Sequence, residues 1–138
     1  KIKAYKHYAN KLWNIRRYIV DNTNAEKYEA NFNTYTEADN KLRKERYQIL
    51  ESVTAHLENY RLHLAGEEIY HYIWHRLADE ILEESKQELT ESRQMFLLET
   101  LRTILIALHP FMPFVTEELW RVVKTDTDLL LIITPWPI

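Results

Sequence analysis

The amino-acid sequence predicts an all-α protein, an antiparallel bundle of about five helices with a short extended segment at its C-terminus. In four long stretches apolar residues recur every three or four positions, as they do in a helix with one buried face. The 138 residues include one glycine and four prolines, too few for a fold with many tight turns. The chain has no cysteine, which excludes a disulfide scaffold and thiolate chemistry.

The first two helices are predicted from their apolar stripes. The stripe of a helix over residues 2–20 consists of Tyr5, Tyr8, Ala9, Leu12, Ile15 and Ile19. Residues 21–36 are rich in Asn and Thr, whose side chains compete for backbone hydrogen bonds, so we expect a loop there with room for one helical turn around Glu26–Ala30. A second helix is expected to open at Thr36. Its stripe consists of Leu42, Ile49, Val53, Leu57 and Tyr60.

The third and fourth helices have the broadest apolar faces. Gly66 is interpreted as lying near the junction before the third helix, and residues 90–93 as a short break after it. The face of the third helix consists of Ile69, Tyr70, Ile73, Trp74, Leu77, Ala78 and Ile81. That of the fourth consists of Met95, Leu98, Leu101, Ile104, Leu105 and Leu108. None of these helices is apolar all round, so each is expected to have a core side and a solvent side.

The segment ALHPFMPFVTEELW (107–120) holds two of the four prolines. A proline inside a helix costs about 3 kcal/mol or more, so we expect them to separate two helices. Pro110 would lie just beyond a fourth helix that ends at Leu108 or His109, and Pro113 in the first turn of a fifth. Three apolar side chains are expected to fill the end of the bundle: Phe111, Met112 and Phe114.

Both ends of the chain inform its organisation. Residues 126–138, DTDLLLIITPWPI, predict a polar turn and then an extended apolar segment that lies against the bundle. The chain starts at Lys1 without an initiator Met, and we interpret residues 1–138 as a single domain excised from a larger protein. The longest apolar runs, such as LLLII at 129–133, are too short to span a membrane, so no membrane partner is expected.

Charge is distributed unevenly. Residues 1–20 contain six of the 18 Lys and Arg residues and none of the 21 Asp and Glu residues. A basic end on an acidic body is typical of a local contact with a polyanion. On charge alone, a merely solvated helix face explains the pattern equally well.

No catalytic residues are predicted. One glycine excludes a glycine-rich phosphate loop, and the serines have no recognisable base beside them. The paired carboxylates Glu83–Glu84 and Glu117–Glu118 are sequence neighbours, so they do not face each other on a helix.

A metal site is considered and not predicted. Glu68, His71 and His75 are spaced like ligands on one helix, and Glu68 to His71 has the Glu-x-x-His spacing of di-iron bundles. Such a site needs a second motif of this kind, and the sequence has none.

The first helix carries a surface line suited to RNA. Lys11, Asn14 and Tyr18 are spaced i, i+3 and i+7, hence on one side of the helix. They would offer a phosphate partner, a hydrogen-bonding amide and a stacking ring, which suit unpaired RNA bases. The alternative, slightly favoured by spacing alone, is that Tyr18 and Trp13 are core residues and Lys11 is solvated.

Four blocks together resemble the anticodon-binding helical domain of valyl-tRNA synthetases. They are YANKLWNIRRYI (8–19), YHYIWHRLADEILEESK (70–86), LHPFMPFVTEELW (108–120) and TPWP (134–137). Their order and spacing match the family over essentially the whole chain. The sequence departs from the family at Glu80-Ile81, where an aromatic pair is usual, and at Tyr18, where Phe is more frequent.

The resemblance implies a cytoplasmic synthetase. In that family the first and third helices of this domain receive the anticodon loop of the tRNA. It implies contacts from Lys11, Asn14 and Tyr18 in the first helix. In the third it implies contacts from Leu82 and Glu83, and it adds Arg17 and Lys86 as weaker candidates. The implied partners are the anticodon stem-loop of tRNA(Val) and the catalytic domain of the same parent chain. That domain would use ATP and Mg²⁺, and no cofactor is expected in these 138 residues, which lack the HIGH and KMSKS signatures.

Two alternatives remain open at this stage. The chain could be the corresponding domain of a leucyl- or isoleucyl-type class I synthetase, since the proline-bracketed segment also fits those enzymes. It could instead be a structural or protein-interaction bundle in which Trp13 and Trp74 are core residues.

Overall fold

The structure is a computed structural model that describes residues 2–24, 31–123 and 134–137. It contains five helices in this part of the chain, and the ranges described contain no strand. Their bounds are α1, Ile2–Asn22; α2, Glu37–Glu58; α3, 62–85; α4, Glu91–Leu108; and α5, Pro113–Val123. The all-α class and the helix number predicted from the sequence are confirmed. The helical turn considered at Glu26–Ala30 lies outside the described residues.

The third helix changes its winding along its length. It begins as an α-helix over Leu62–His71, is π-helical over Tyr72–Leu82 and closes with a short α-helical turn, Glu83–Ser85. A π-helix hydrogen-bonds to the fifth residue rather than the fourth, so its side chains follow a different angular spacing. The stripe read with an α-helical period therefore gives only an approximate account of which residues of α3 share a face.

Threonine caps define where α2 and α4 begin. The backbone N–H of Asp39 donates to Thr36 Oγ1 at 3.2 Å, and that of Arg93 donates to Thr90 Oγ1 at 3.1 Å. Such caps satisfy donors that the first helical turn leaves unpaired. The predicted start at Thr36 is confirmed. The break predicted at residues 90–93 instead lies at 86–90, because Thr90 belongs to the cap of the following helix.

The junction between α2 and α3 is not at Gly66, as the sequence suggested. The turn lies at 59–61, where Tyr60 adopts a left-handed conformation with φ of 59°. Gly66 lies inside α3, beside the ring of Phe111: a Cβ added there would come within 3.3 Å of Phe111 Cε1. The lone glycine therefore allows a close approach between α3 and the segment that joins α4 to α5.

Both prolines lie where the sequence placed them. Helix α4 ends at Leu108 with Pro110 beyond it, and α5 begins at Pro113. The turn is held by Thr116, whose hydroxyl donates to the Met112 carbonyl at 2.8 Å. Met112 is buried and Phe111 partly so, but Phe114 is 88% exposed. The expectation that Phe114 fills the bundle end was wrong, because the first turn of α5 presents it to solvent.

Helix α4 is the central element of the bundle. It contacts α1, α2, α3 and α5, and its buried residues extend around almost its whole circumference. The expected solvent side of α4 is narrow: the residues that are not fully buried share one side of the helix, and they are Glu91, Gln94, Glu99, Arg102 and Ile106. Its buried hydroxyls are satisfied within the protein: Arg46 donates to Thr100 at 2.7 Å, and Thr103 donates to the Glu99 carbonyl at 2.8 Å.

A buried polar network joins the ends of α2, α3 and α4. Arg93 and Asp39 are 7% and 2% exposed, and the guanidinium donates to Asp39 Oδ1 at 2.7 Å and to Ser85 Oγ at 2.9 Å. Ser92 donates to the other oxygen of Asp39 at 2.6 Å. Because every strong donor here has an acceptor, the network can fix the C-terminal end of α3 at a low energetic cost.

The described part of the C-terminal segment lies against α2. The indole N–H of Trp136 donates to Thr54 Oγ1 at 2.8 Å, and the ring packs on the core. None of the helices in the described ranges is long and apolar enough to cross a membrane.

Candidate nucleic-acid interface

A cavity of about 180 Å³ lies between α1 and the C-terminal half of α3. We call it the α1–α3 cavity. Six of the seven site residues predicted from the sequence line it: Lys11, Asn14, Tyr18, Leu82, Glu83 and Lys86. Ile15 and Ala78 complete the lining. Residues from two distant parts of the chain are thus brought together as the resemblance implied.

Helix geometry explains why these residues meet. On α1, Lys11, Asn14 and Tyr18 share one side because they are spaced by three and four residues. On α3, Ala78, Leu82 and Lys86 recur every fourth residue through the π-helical stretch and beyond it. Ala78 and Leu82 are buried, and the small side chain of Ala78 leaves the space that the larger residues surround.

Arg17 is the predicted site residue that the structure sets apart from this cavity. It follows Arg16 and precedes Tyr18 on α1, and one residue corresponds to about 100° of rotation around a helix. Its side chain is exposed and is not part of the lining.

Each lysine of the cavity has a carboxylate and an aromatic ring beside it. Lys11 Nζ lies 3.6 Å from Asp79 Oδ1 and 4.9 Å from the centroid of the Trp74 ring. Lys86 Nζ lies 2.9 Å from Glu83 Oε1 and 5.7 Å from the centroid of the Tyr18 ring. The hydrogen bond to Glu83 raises the pKa of Lys86. Both cations are partly exposed, so a phosphate could replace either carboxylate as the partner.

Sequence reasoning missed Asp79 and Trp74 as members of this interface. Trp74 was read only as part of the apolar face of the third helix. The period-four recurrence of Trp74, Ala78, Leu82 and Lys86 is a signal that could have found it. Asp79 has no such signal, because its contact with Lys11 depends on how α1 and α3 pack.

Neither tryptophan proposed as a core residue is buried. Trp13 is 39% exposed, with the Arg16 guanidinium 4.9 Å from its ring centroid. Trp74 is half-buried and stacks on Tyr70 with centroids 5.5 Å apart. The structural alternative fails on this point, because neither ring is buried in the core.

The histidines considered as metal ligands have other contacts. The rings of His71 and His75 stack, with centroids 5.3 Å apart. Glu68 faces α2 instead, where its Oε1 lies 3.7 Å from His56 Nε2. Over the ranges that the structure covers, no group of three or more His, Cys, Asp or Glu residues could hold a metal ion.

The fold defines a class of protein, an all-α helical bundle, with a lysine-bearing cavity between its first and third helices. Residues 39–138 match the family model described as the anticodon-binding domain of tRNA ligase. Because this match covers well over half of the chain, the chain belongs to the family of anticodon-binding domains of tRNA ligases.

The similar relatives are valine–tRNA ligases, which confirms the resemblance stated from the sequence. The chain is 37% identical over 138 residues to that of Thermotoga maritima and 33% over 139 residues to that of Fervidobacterium nodosum. Each alignment covers 97% of this chain and 16% of the relative. That of Legionella pneumophila strain Lens is 32% identical over 132 residues, covering 88% of this chain and 14% of the relative. The chain thus spans roughly a sixth of the length of these curated relatives.

Proposed function

We propose that the chain is the anticodon-recognition module of a valyl-tRNA synthetase. The observation that carries the proposal is the α1–α3 cavity, in which two lysines, a tyrosine ring and polar side chains from two helices surround one small space. These are the groups that unpaired RNA requires: cations for phosphates, a ring for stacking and hydrogen-bonding groups for base edges.

In this proposal each side chain has a distinct part. Lys11 and Lys86 exchange their carboxylate partners for backbone phosphates. The ring of Tyr18, partly buried at the cavity wall, stacks on an anticodon base. Leu82 forms the apolar floor beneath that base.

Base edges are read by the polar groups that remain. The Asn14 amide both donates and accepts. The Glu83 carboxylate, once Lys86 has turned to a phosphate, accepts from an exocyclic amine. Arg17 lies about 100° around α1 from Tyr18 and contacts phosphates of the anticodon loop outside the cavity.

The proposal extends to the parent protein. Residues 1–138 form one module of it, and its partners are tRNA(Val) and a catalytic domain of the same chain in the cytoplasm. The catalytic signatures HIGH and KMSKS do not occur in these residues. The proposal therefore assigns ATP- and Mg²⁺-dependent valylation to the catalytic domain. The module contributes recognition of the substrate and no reacting group.

Binding of a labelled valine anticodon stem-loop, followed by fluorescence anisotropy, tests the assignment. Tyr18→Ala is expected to raise Kd by about fivefold or more, because a base–aromatic stack contributes about 1–3 kcal/mol. Lys11→Ala is expected to weaken binding and to reduce the slope of log K against log salt by about one.

Two matched variants serve as controls. Tyr47→Ala and Lys44→Ala remove an exposed tyrosine and an exposed lysine of α2 and are expected to leave Kd and its salt slope unchanged. If the α1 and α2 variants weaken binding equally, the site assignment is wrong. Stem-loops with leucine, isoleucine and scrambled anticodons should bind more weakly. Equal binding of all of them would contradict the valyl assignment.

A further inference from the structure

A second and larger cavity, of about 510 Å³, lies between α2 and α3. We call it the α2–α3 cavity. It shares no lining residue with the α1–α3 cavity, so the proposed RNA contacts do not account for it. Its walls are partly apolar, through Ile49 and Leu64, and partly polar, through Glu68 and Tyr72.

Two polar atoms on the α3 wall are buried without a hydrogen bond to any described residue. The Tyr72 hydroxyl and Glu68 Oε1 form no hydrogen bond within the part of the chain that the structure describes. Tyr72 is only 6% exposed, and burial raises the pKa of its phenol. Buried polar groups in folded proteins almost always have partners, and each one that lacks a partner costs about 1–3 kcal/mol. A ligand that pairs with both groups would recover that cost.

The charge still available in the cavity is negative. The Arg76 Nε donates to both carboxylate oxygens of Glu45, at 2.9 and 3.1 Å, which neutralises the one arginine of the lining. Glu68 has only the imidazole of His56, at 3.7 Å, beyond hydrogen-bonding distance. A cation is therefore the complementary ligand.

The backbone of α3 changes at this cavity. Tyr72 is the first residue of the π-helical stretch, and Glu68 precedes it by one α-helical turn. Departures from α-helical winding are frequent at functional sites. Because Tyr72 follows Glu68 by four residues, the phenol and the carboxylate share one face of the helix, toward α2.

From these observations we propose that the α2–α3 cavity binds an alkylammonium group. The ammonium has three N–H donors and no acceptor, so it can donate to Glu68 Oε1 and to the Tyr72 phenolic oxygen together. Its alkyl stem would lie on Ile49 and Leu64. A free alkylamine and a lysine side chain from another segment or protein share this chemistry.

Titration of the 15N-labelled protein, followed by amide chemical shifts, tests the site. The probes are n-butylammonium chloride and 1-butanol, at constant ionic strength. The ammonium is expected to give saturable shifts confined to the facing parts of α2 and α3. Butanol is expected to bind at least about tenfold more weakly, because it lacks the charge-assisted hydrogen bond.

Cadaverine and N-acetyl-lysine methylamide then distinguish the two sources of the ammonium. Tighter binding of the diamine would indicate a free amine, and tighter binding of the lysine derivative would indicate a protein partner. Both results support the site.

Two volume-conserving variants address the two atoms. Glu68→Gln removes the charge and Tyr72→Phe removes the hydroxyl, and each is expected to weaken butylammonium binding at least about tenfold. Glu51→Gln and Tyr47→Phe alter exposed residues of α2 outside the cavity and are expected to bind as the unchanged protein does.

Three results would overturn the proposal. The first is the absence of saturable shifts at tens of millimolar butylammonium. Binding weaker than that would mean that water, and not an ammonium group, hydrogen-bonds to the two atoms. The second is equal binding of butanol. The third is unchanged binding by Glu68→Gln when its thermal melting shows that the variant is folded.

Discussion

Glu99, on α4, holds three residues that come from outside its own helix. Arg43 donates to its two oxygens at 2.8 and 3.1 Å, Arg46 donates to it as well, and the Tyr35 hydroxyl does so at 3.3 Å. Burial alone would raise the pKa of Glu99, but the hydrogen bonds and charges of the two arginines outweigh it and hold the pKa below the ordinary value of 4.5. The carboxylate therefore ties the start of α2 to the middle of α4.

Replacing Glu99 should make stability less dependent on pH. A carboxyl group whose pKa is lowered by folding contributes stability that is complete above its ordinary pKa and is lost as pH falls through the folded value. At neutral pH we expect Glu99→Gln to lower the free energy of unfolding by about 3 kcal/mol, since it leaves two guanidinium groups without their carboxylate. The difference should shrink as pH falls below 4.5. Urea unfolding over a pH series measures both effects.

An exposed glutamate provides the control for this change. Glu51→Gln alters the same functional group on the solvent side of α2 and should shift stability by less than about 0.5 kcal/mol at any pH. A Glu99→Gln deficit that is equally large at neutral and at acid pH would mean that the carboxylate charge is not what stabilises this contact.

The two candidate sites differ in whether their charged and polar side chains already have partners. In the α1–α3 cavity the lysines are already paired with Asp79 and Glu83, so binding there exchanges one anionic partner for another. In the α2–α3 cavity Glu68 and Tyr72 each have a buried polar atom that forms no hydrogen bond with the described residues. The first site is therefore suited to reversible binding of a polyanion, and the second to a single cationic group.

At the scale of the elements, three helices begin where a threonine cap or a proline favours a helix start. Thr36 and Thr90 are residues that favour the N-cap position, and both occupy it. Pro113 opens α5 because a proline at the first helical position loses no hydrogen bond. These are local effects, which is why the sequence carries them.

The α2–α3 turn is the exception and offers a stability prediction. Tyr60 has φ of 59° and is 92% exposed, so it bears the left-handed strain without any packing that compensates for it. Tyr60→Gly should raise the free energy of unfolding by about 0.5–1 kcal/mol, because the relief of strain exceeds the entropy that glycine adds to the unfolded chain. Urea unfolding measures the change.

The matched control has the opposite sign. Tyr47 is also an exposed tyrosine, but it lies within α2. Tyr47→Gly should lower stability by about 1 kcal/mol, the ordinary cost of glycine inside a helix. A loss of stability in both variants would show that the Tyr60 side chain contributes more than its exposure suggests.

At the scale of the whole molecule, α4 is the central helix of the bundle, and the described part of the C-terminal segment packs against α2. Helix α4 contacts the other four helices, so most of its side chains are buried. Trp136 joins the C-terminal segment to α2 through Thr54, far away in the sequence. Both features arise from the order in which helices pack, not from any one helix.

Trp136 is expected to contribute to the stability of the bundle. Trp136→Phe keeps a ring and loses the hydrogen bond to Thr54, so the free energy of unfolding should fall by about 1 kcal/mol. Trp136→Ala also loses the packing and should cost about 3 kcal/mol. Urea unfolding followed by circular dichroism measures both, with Trp13→Phe as the control on an exposed tryptophan. Equal small effects at Trp136 and Trp13 would show that the segment is not anchored to α2.

The tertiary structure decided several matters that no local pattern contains. Gly66 faces Phe111, and Phe114 faces solvent, because of how α3 and α5 pack rather than because of their neighbours in sequence. The packing of α3 on α2 pairs Glu68 with His56 rather than with His71 and His75, with which the sequence had grouped it. The same packing pairs Lys11 with Asp79.

The sequence by itself determined the all-α class, the start of α2, the junction between α4 and α5, and the line of Lys11, Asn14 and Tyr18 on α1. These depend on spacings of three or four residues and on the chemistry of caps and prolines, which act within one or two turns. Only the tertiary structure decided which faces meet, which side chains line the two cavities and, among the described residues, which buried polar atoms form no hydrogen bond. Those properties depend on contacts between residues distant in sequence, and a local period does not record them.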